Sequence, residues 1–245
     1  MKCALAAVGF INGDVAHNKA VLADTLRQCA GKADVVLFGE AFLQGFYGIN
    51  FVVEHDRTTA ISREDKVIQE IGALAKEYVL AVSFGFIEKD CDTFFSSQMT
   101  IDQTGQIIDV YRRVSPGWKE PFAGKEYGEG EAFHTFTSLG KKVAIGLCGD
   151  LWYEENITRL NALQPDVIWW PVYTDYNDLA WNSTTKLEYA EQAGKINAPV
   201  LYVNSVCIDK AAEDEIAKGG AALFAHGSIQ EELPAGKAGT LIVEI

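Results

Sequence analysis

Hydrophobic and polar positions along the chain switch repeatedly between two periods. Residues 1–11 are almost wholly apolar and read as a first strand, closed by the turn signal Asn12-Gly13-Asp14. No small-residue cleavage site follows this run, so it is read as a strand and not as a leader. Residues 17–30 then carry Val21, Leu22, Leu26 and Cys29 at helical spacing, with Asp14 as N-cap and Gly31 as C-cap. Residues 33–39 return to an apolar run, a second buried strand that ends at Glu40. Strand, helix, strand in this order predicts a parallel pair joined by a crossover. A second helix is predicted over 62–78, capped by Ser62 and carrying Val67, Ile68, Ile71, Leu74 and Ala75, and a third strand over 79–88.

The pattern then changes. Residues 94–101 and 106–113 read as two strands around the hairpin signal Asp102-Gln103-Thr104-Gly105, so the sheets are mixed. A loop rich in Gly, Pro and aromatics fills 115–130, and a short strand is expected at 133–136. The apolar run 143–147 is bounded by Lys141 and Lys142 and stops at Cys148-Gly149, after which Ile157, Leu160 and Leu163 recur at helical spacing. Further strands are expected at 166–171, 200–204, 219–224 and 240–245, with a helix over 183–197 and a turn near His226-Gly227-Ser228. No linker, repeat or low-complexity tract interrupts this order, which predicts one domain over residues 1–245. The strands are too many for one flat sheet. The expected class is α/β, a four-layer α-β-β-α sandwich with two mixed sheets packed together and helices outside.

Composition narrows the function. The net charge of −13 gives an acidic surface, so neither nucleic acid nor an anionic membrane is an expected partner. No apolar run is long enough to span a bilayer. The five cysteines are odd in number and show no C-x-x-C spacing, which points to free thiols in a reducing, cytoplasmic compartment. His17, His55, His134 and His226 are scattered without ligand spacing, and no phosphate-binding Gly loop is present, so no metal or organic cofactor is expected.

Candidate chemistry gathers at strand ends, where open α/β sheets bind ligands. Cys148 stands where a buried strand hands over to a helix-like pattern, on a Gly-permitted bend. Free backbone N–H groups and a helix dipole there favour a thiolate, and a nearby N–H can hold an oxyanion. Its ordinary alternative is one more buried apolar residue. Glu40 ends the apolar run 35–39, where partial desolvation suits a general base, although an isolated loop Glu is more often simply solvated. Lys119, in Pro116-Gly117-Trp118-Lys119-Glu120-Pro121, is by default a surface lysine. Together the three supply a thiol nucleophile, a carboxylate base and a cation for an oxyanion, the parts for amide cleavage.

With these residues in place, the chain resembles the nitrilase, or carbon-nitrogen hydrolase, superfamily along nearly its whole length. The resemblance rests on Val35-Val36-Leu37-Phe38-Gly39-Glu40 followed by Gly45-Phe46, and on Ile145-Gly146-Leu147-Cys148-Gly149-Asp150-Leu151-Trp152-Tyr153-Glu154-Glu155. Smaller matches are Ile101 to Ile107 before Tyr111-Arg112-Arg113, Asp166-Val167-Ile168-Trp169-Trp170-Pro171, and the Gly219-Gly220 and Gly227-Ser228 stretch. The resemblance implies hydrolysis of a non-peptide C–N bond of a small-molecule amide, or of a nitrile, through a Cys148 thioester. Glu40 would act as base and a lysine, with a backbone N–H near Gly149, would hold the oxyanion. It also implies a homodimer or larger homo-oligomer, paired through the helix after the cysteine. The family's lysine usually follows a Tyr-Arg pair, and that position here is Arg113. The expected amine is therefore Lys119, shifted along the loop, because guanidinium is a poor stand-in for a single-point ammonium donor; Arg113 is the alternative cation. Glu120, or else Glu126, is the candidate for the second glutamate that often orients the amine. Trp152 and Tyr173 are candidate pocket aromatics beside Phe42, Phe46, Trp118, Tyr153 and Tyr176. A non-catalytic member of the same fold, used for binding, is the rival reading that Arg113 keeps open.

Overall fold

The computed structural model of the chain describes residues 1–209 and 216–245. The described elements run in chain order as β1 (Lys2–Ala7), β2 (Gly9–Phe10), α1 (Val15–Cys29), β3 (Val35–Phe38), α2 (Val53–Thr59), α3 (Lys66–Tyr78), β4 (Ala81–Asp90), β5 (Thr93–Ile101), β6 (Ile107–Arg112), β7 (Thr135–Ser138) and β8 (Lys141–Ile145). Then come α4 (Glu154–Ala162), β9 (Val167–Val172), α5 (Asp178–Ala180), a π-helical turn (Trp181–Thr185), α6 (Lys186–Ala193), β10 (Val200–Asn204), β11 (Val206–Cys207), β12 (Ala221–Ala225), β13 (Ser228–Leu233) and β14 (Gly239–Glu244).

Two six-stranded sheets are built to one plan: the first in the order β14-β1-β3-β4-β5-β6, the second β13-β12-β10-β9-β8-β7. In the first, β1, β3 and β4 are parallel and the rest antiparallel. In the second, β8, β9 and β10 play the parallel part. The central runs of the parallel strands, such as Cys3 to Ala7, Val35 to Phe38, Val143 to Ile145 and Val200 to Val203, are apolar because both faces are covered. Cys3, Leu5, Val35 and Leu37 point at the second sheet and share a core with Val143, Ile145, Val167 and Trp169. Their neighbours Ala4, Ala6, Val36 and Phe38 point the other way, onto Leu22 and Leu26 of α1 and Ile68 and Ile71 of α3. Across the second sheet Ile157 and Leu160 of α4 and Tyr189 and Ala193 of α6 close the outer layer. The molecule is thus the four-layer α-β-β-α sandwich expected, with two mixed sheets.

Asp14 caps α1 as expected, its Oδ1 accepting from the His17 N–H at 2.9 Å. The next helix starts later than predicted. Ser62 is not its cap; Asp65 is, and Asp65 also accepts the Ser62 N–H at 2.8 Å. The Cys148 turn departs further. Cys148–Trp152 is a five-residue 3₁₀ turn, and the α-helix begins only at Glu154.

The sheets meet tightly at the carboxyl ends of β3 and β9. The Glu40 N–H donates to Val172 O at 3.1 Å, and the Gly39 N–H donates to Ser205 Oγ at 3.2 Å. A Cβ at Gly39 would lie 2.9 Å from Ser205 N, Ser205 Oγ and Val172 O, so glycine is what lets the two layers close here.

Candidate active site

Glu40 follows β3 at this seam and is 1% exposed. Its Oε1 accepts from Ser96 Oγ of β5 at 2.9 Å and from Arg113 Nη1 at 3.0 Å. Its Oε2 accepts from the Tyr173 N–H, just beyond β9, at 3.2 Å. Three donors on one buried carboxylate fix its plane and satisfy its charge.

Arg113 is the residue after β6 and is 5% exposed. Besides Glu40, its Nε donates to Ser115 Oγ at 3.0 Å and its Nη2 to Pro116 O at 3.2 Å. The guanidinium lies close against the Cys148 turn: a Cβ at Gly149 would stand 2.4 Å from Arg113 Nη2 and 3.1 Å from Ser115 Oγ. Gly149 is therefore required by close approach.

Cys148 opens the 3₁₀ turn with a left-handed φ of 47°. A non-glycine residue rarely holds that conformation unless its surroundings over-determine it. Here they do. The Cys148 carbonyl accepts from Trp170 Nε1 at 2.8 Å, and Sγ–H donates to Tyr173 O at 3.5 Å. Two residues on, the buried Asp150 carboxylate accepts from the N–H groups of Leu147, Val114 and Ser115 at 2.9, 3.1 and 2.6 Å, and from Tyr111 OH at 2.6 Å. It ties the turn to the segment that follows Arg113.

The electrostatics reverse one expectation. Burial, then the Glu40 carboxylate, push the Cys148 thiol well above its ordinary range, and Arg113 pulls only partly the other way. Both causes favour the thiol over a helix-stabilised thiolate. The physical reason is the turn itself: a single 3₁₀ turn carries little dipole, and α4 starts too far on to act at Sγ. A thiol beside a carboxylate needs proton transfer to Glu40 before it can attack.

The structure brings Glu40, Arg113, Cys148 and Gly149 together. It places Lys119 elsewhere: Nζ donates to Tyr127 O at 2.5 Å and pairs with Glu129 at 2.9 Å, within the loop that the same lysine helps to close. Glu120 is exposed on that loop and Glu126 half-buried, and among the described residues neither is hydrogen-bonded to Arg113 or Lys119. Tyr173 reaches the site by its backbone; its ring turns away and stacks on Phe46 at 4.6 Å. Trp152 is 42% exposed, edge-on to Tyr189 at 4.9 Å. Tyr189 belongs to an aromatic group with Trp170, Trp181 and Tyr202, and burial, with Cys148 among the neighbours adding to it, pushes the Tyr189 and Tyr202 hydroxyls up.

The sequence assigns no role to Ser96, Ser115, Asp150 or Trp170, although Asp150 and Trp170 lie in stretches that carry the family resemblance. The structure buries Ser96 with Ser97 and Gln98 as a polar run inside a strand, where an apolar position would be ordinary.

A sequence profile of the carbon-nitrogen hydrolase family matches residues 6–245. The chain belongs to that family. An (R)-stereoselective amidase of Pseudomonas sp. is 25% identical over 168 residues, covering 69% of this chain and 58% of its own. A cyanide hydratase of Pyrenophora teres f. teres is 26% identical over 224 residues, covering 83% of this chain and 58% of its own. The chain spans about half the length of the curated relatives it matches. An amidase from Nesterenkonia sp. superposes with a TM-score of 0.80 at 17% identity, over 100% of this chain and 90% of that one. At that identity the likeness is one of fold.

Proposed function

We propose that this chain hydrolyses the C–N bond of a small-molecule amide through a thioester on Cys148, with Glu40 as acid–base and Arg113 as the cation. The observation that carries it is the contiguity of the three groups: Arg113 bonds Glu40 directly and lies against Gly149 of the cysteine turn, and Glu40 and the Cys148 thiol bond the N–H and the carbonyl of one residue, Tyr173. In this mechanism Glu40 takes the Sγ proton as sulfur attacks the carbonyl carbon. The tetrahedral oxyanion is held by the fixed positive charge of Arg113 and by a backbone N–H at Gly149. Glu40 then gives its proton to the departing amine. It next takes one from water, which attacks the thioester and releases the acid and the thiol. Lys119, engaged by Tyr127 and Glu129, is assigned to holding the loop.

Family membership supports the reaction class, and an amide substrate is supported by the amidases among the relatives, which stand beside a nitrilase and cyanide hydratases. The aromatic group that runs from Trp152 to Tyr202 is tied to the cysteine turn by Trp170, whose Nε1 donates to the Cys148 carbonyl. A homo-oligomer formed through the α4 face, where Tyr153 is exposed, and a reducing cytoplasmic setting for five free cysteines belong to the same proposal. Light scattering on the purified chain tests the first of these.

The decisive experiment mixes the protein with a panel of short amides and nitriles. Ammonia release and intact mass are followed together. Turnover with a transient mass increase on Cys148 is expected, and Glu40→Gln should slow it by about 10²–10⁴-fold. If no amide or nitrile is turned over and Cys148 never carries an adduct, the chain is a binding member of its family and the mechanism falls.

A further inference from the structure

A guanidinium offers five N–H donors in a rigid fork, where an ammonium offers three at one point. In Arg113 donors on all three nitrogens are anchored: Nη1 on Glu40, Nε on Ser115 Oγ and Nη2 on Pro116 O. The same Ser115 that accepts from Nε has its backbone N–H held by the Asp150 carboxylate at 2.6 Å. Arg113 therefore sits between two buried carboxylates, one touching it and one reached through Ser115. Asp150 is fully buried, and its remaining bonds hold the Leu147 N–H of the cysteine turn, the Val114 N–H and the Tyr111 hydroxyl of β6. No glutamate of the 115–130 loop is bonded to Arg113 among the described residues.

We propose that Ser115 and Asp150 form a positioning pair for Arg113, with Asp150 serving as the second carboxylate of this site and Ser115 as its link to the guanidinium. The proposal rests on the reading of Arg113 as the cation that serves Cys148. The pair fixes the guanidinium plane against Gly149, so that the positive charge stands at the sulfur and not at the solvent. It is also specific to arginine. Nε is the atom that Ser115 holds, and lysine has no equivalent donor part-way along its side chain. The link and the arginine should therefore depend on each other.

The test is a double-mutant cycle on the full chain: wild type, Ser115→Ala, Arg113→Lys and the double variant, with Ser115→Thr as a rescue. The readout is the rate at which iodoacetamide alkylates Cys148 across the pH range where thiols titrate, mapped by peptide mass spectrometry. Buried Cys3 and Cys207 report folding in the same digests, because their labelling stays slow while the protein is folded. Ser115→Ala should slow Cys148 about tenfold near neutral pH and move its profile to higher pH, as loss of a bond to a charged group predicts. Ser115→Thr should restore both. In the Arg113→Lys background Ser115→Ala should change the rate by less than about twofold, because the coupled partner is already gone. An equal effect of Ser115→Ala in both backgrounds, or none in either, overturns the pairing while leaving Cys148 as a reactive thiol. A Cys148 no faster than Cys3 and Cys207 in every protein overturns the reading beneath it, and the pairing with it.

Discussion

Arg113 stays protonated and cannot relay a proton, so in this site it can act only by charge and by hydrogen bonding. Its three anchors make it a poor candidate for exchange. Arg113→Lys should lower amide turnover by about tenfold or more, since the shorter amine leaves Ser115 and Pro116 without their donor. Gly149→Ala should leave the fold standing and cut turnover about a hundredfold, because the new Cβ forces the guanidinium away from the sulfur. Steady-state kinetics and circular dichroism on the same preparations check both. Glu40 and Cys148 were legible in the sequence because each closes an apolar run, and a polar group at such a point stands out. The cation was not. Lys119 and Arg113 are six positions apart in one loop region, and only the fold shows that Tyr127 and Glu129 hold the first while Glu40 holds the second. Ser115 was hidden for another reason: a hydroxyl takes its meaning from its partner, and its partner Asp150 is far along the chain.

At the scale of elements, period and apolar content found the buried strands and the amphipathic helices, whose packing the sequence must encode. Elements without an apolar face were missed. Val53–Thr59 is a polar single-purpose helix, and Ser228–Leu233 is a polar edge strand that looks like loop. The first is held by one buried group. Asp56 accepts from the N–H groups of Asn50 and Phe51 at 3.1 and 2.8 Å and from Tyr127 OH at 2.7 Å. That last bond joins α2 to the loop carrying Lys119. Tyr127→Phe should cost about 1–3 kcal/mol in chemical denaturation, since it leaves part of a buried carboxylate unpaired. It should also loosen the loop, seen as faster amide exchange over residues 115–130.

At the scale of the molecule, two sheets of one plan present their carboxyl ends at a common seam, and every reacting group named above comes from that seam. The two-sheet sandwich was readable from the count and order of strands; the meeting of Glu40 with Val172 and Tyr173 across the sheets was not, because it is a long-range contact between apolar layers that any register could have satisfied. Stability is also tied to pH away from the site. His134 pairs with Asp109 at 2.7 Å, and that bond, against a smaller cost of burial, raises the His134 pKa above its ordinary value of 6.5. A raised pKa means the pair stabilises fully below the unfolded value and is lost as pH rises through the folded one. His134→Gln should therefore lower the urea midpoint in mildly acidic buffer and leave it unchanged in alkaline buffer.

The left-handed backbone at Cys148 has a consequence for how such a chain can change. A cysteine there carries a conformational penalty of about 1–3 kcal/mol that glycine would not. Cys148→Gly should accordingly melt no lower than Cys148→Ala, and higher once the strain is relieved, while both lose turnover alike. The residue the proposed reaction depends on is thus one of those that the fold holds in a left-handed conformation. A lineage that no longer needed the chemistry would gain thermal tolerance by drifting to glycine at this position, so a thiol retained here is itself a mark of continuing use.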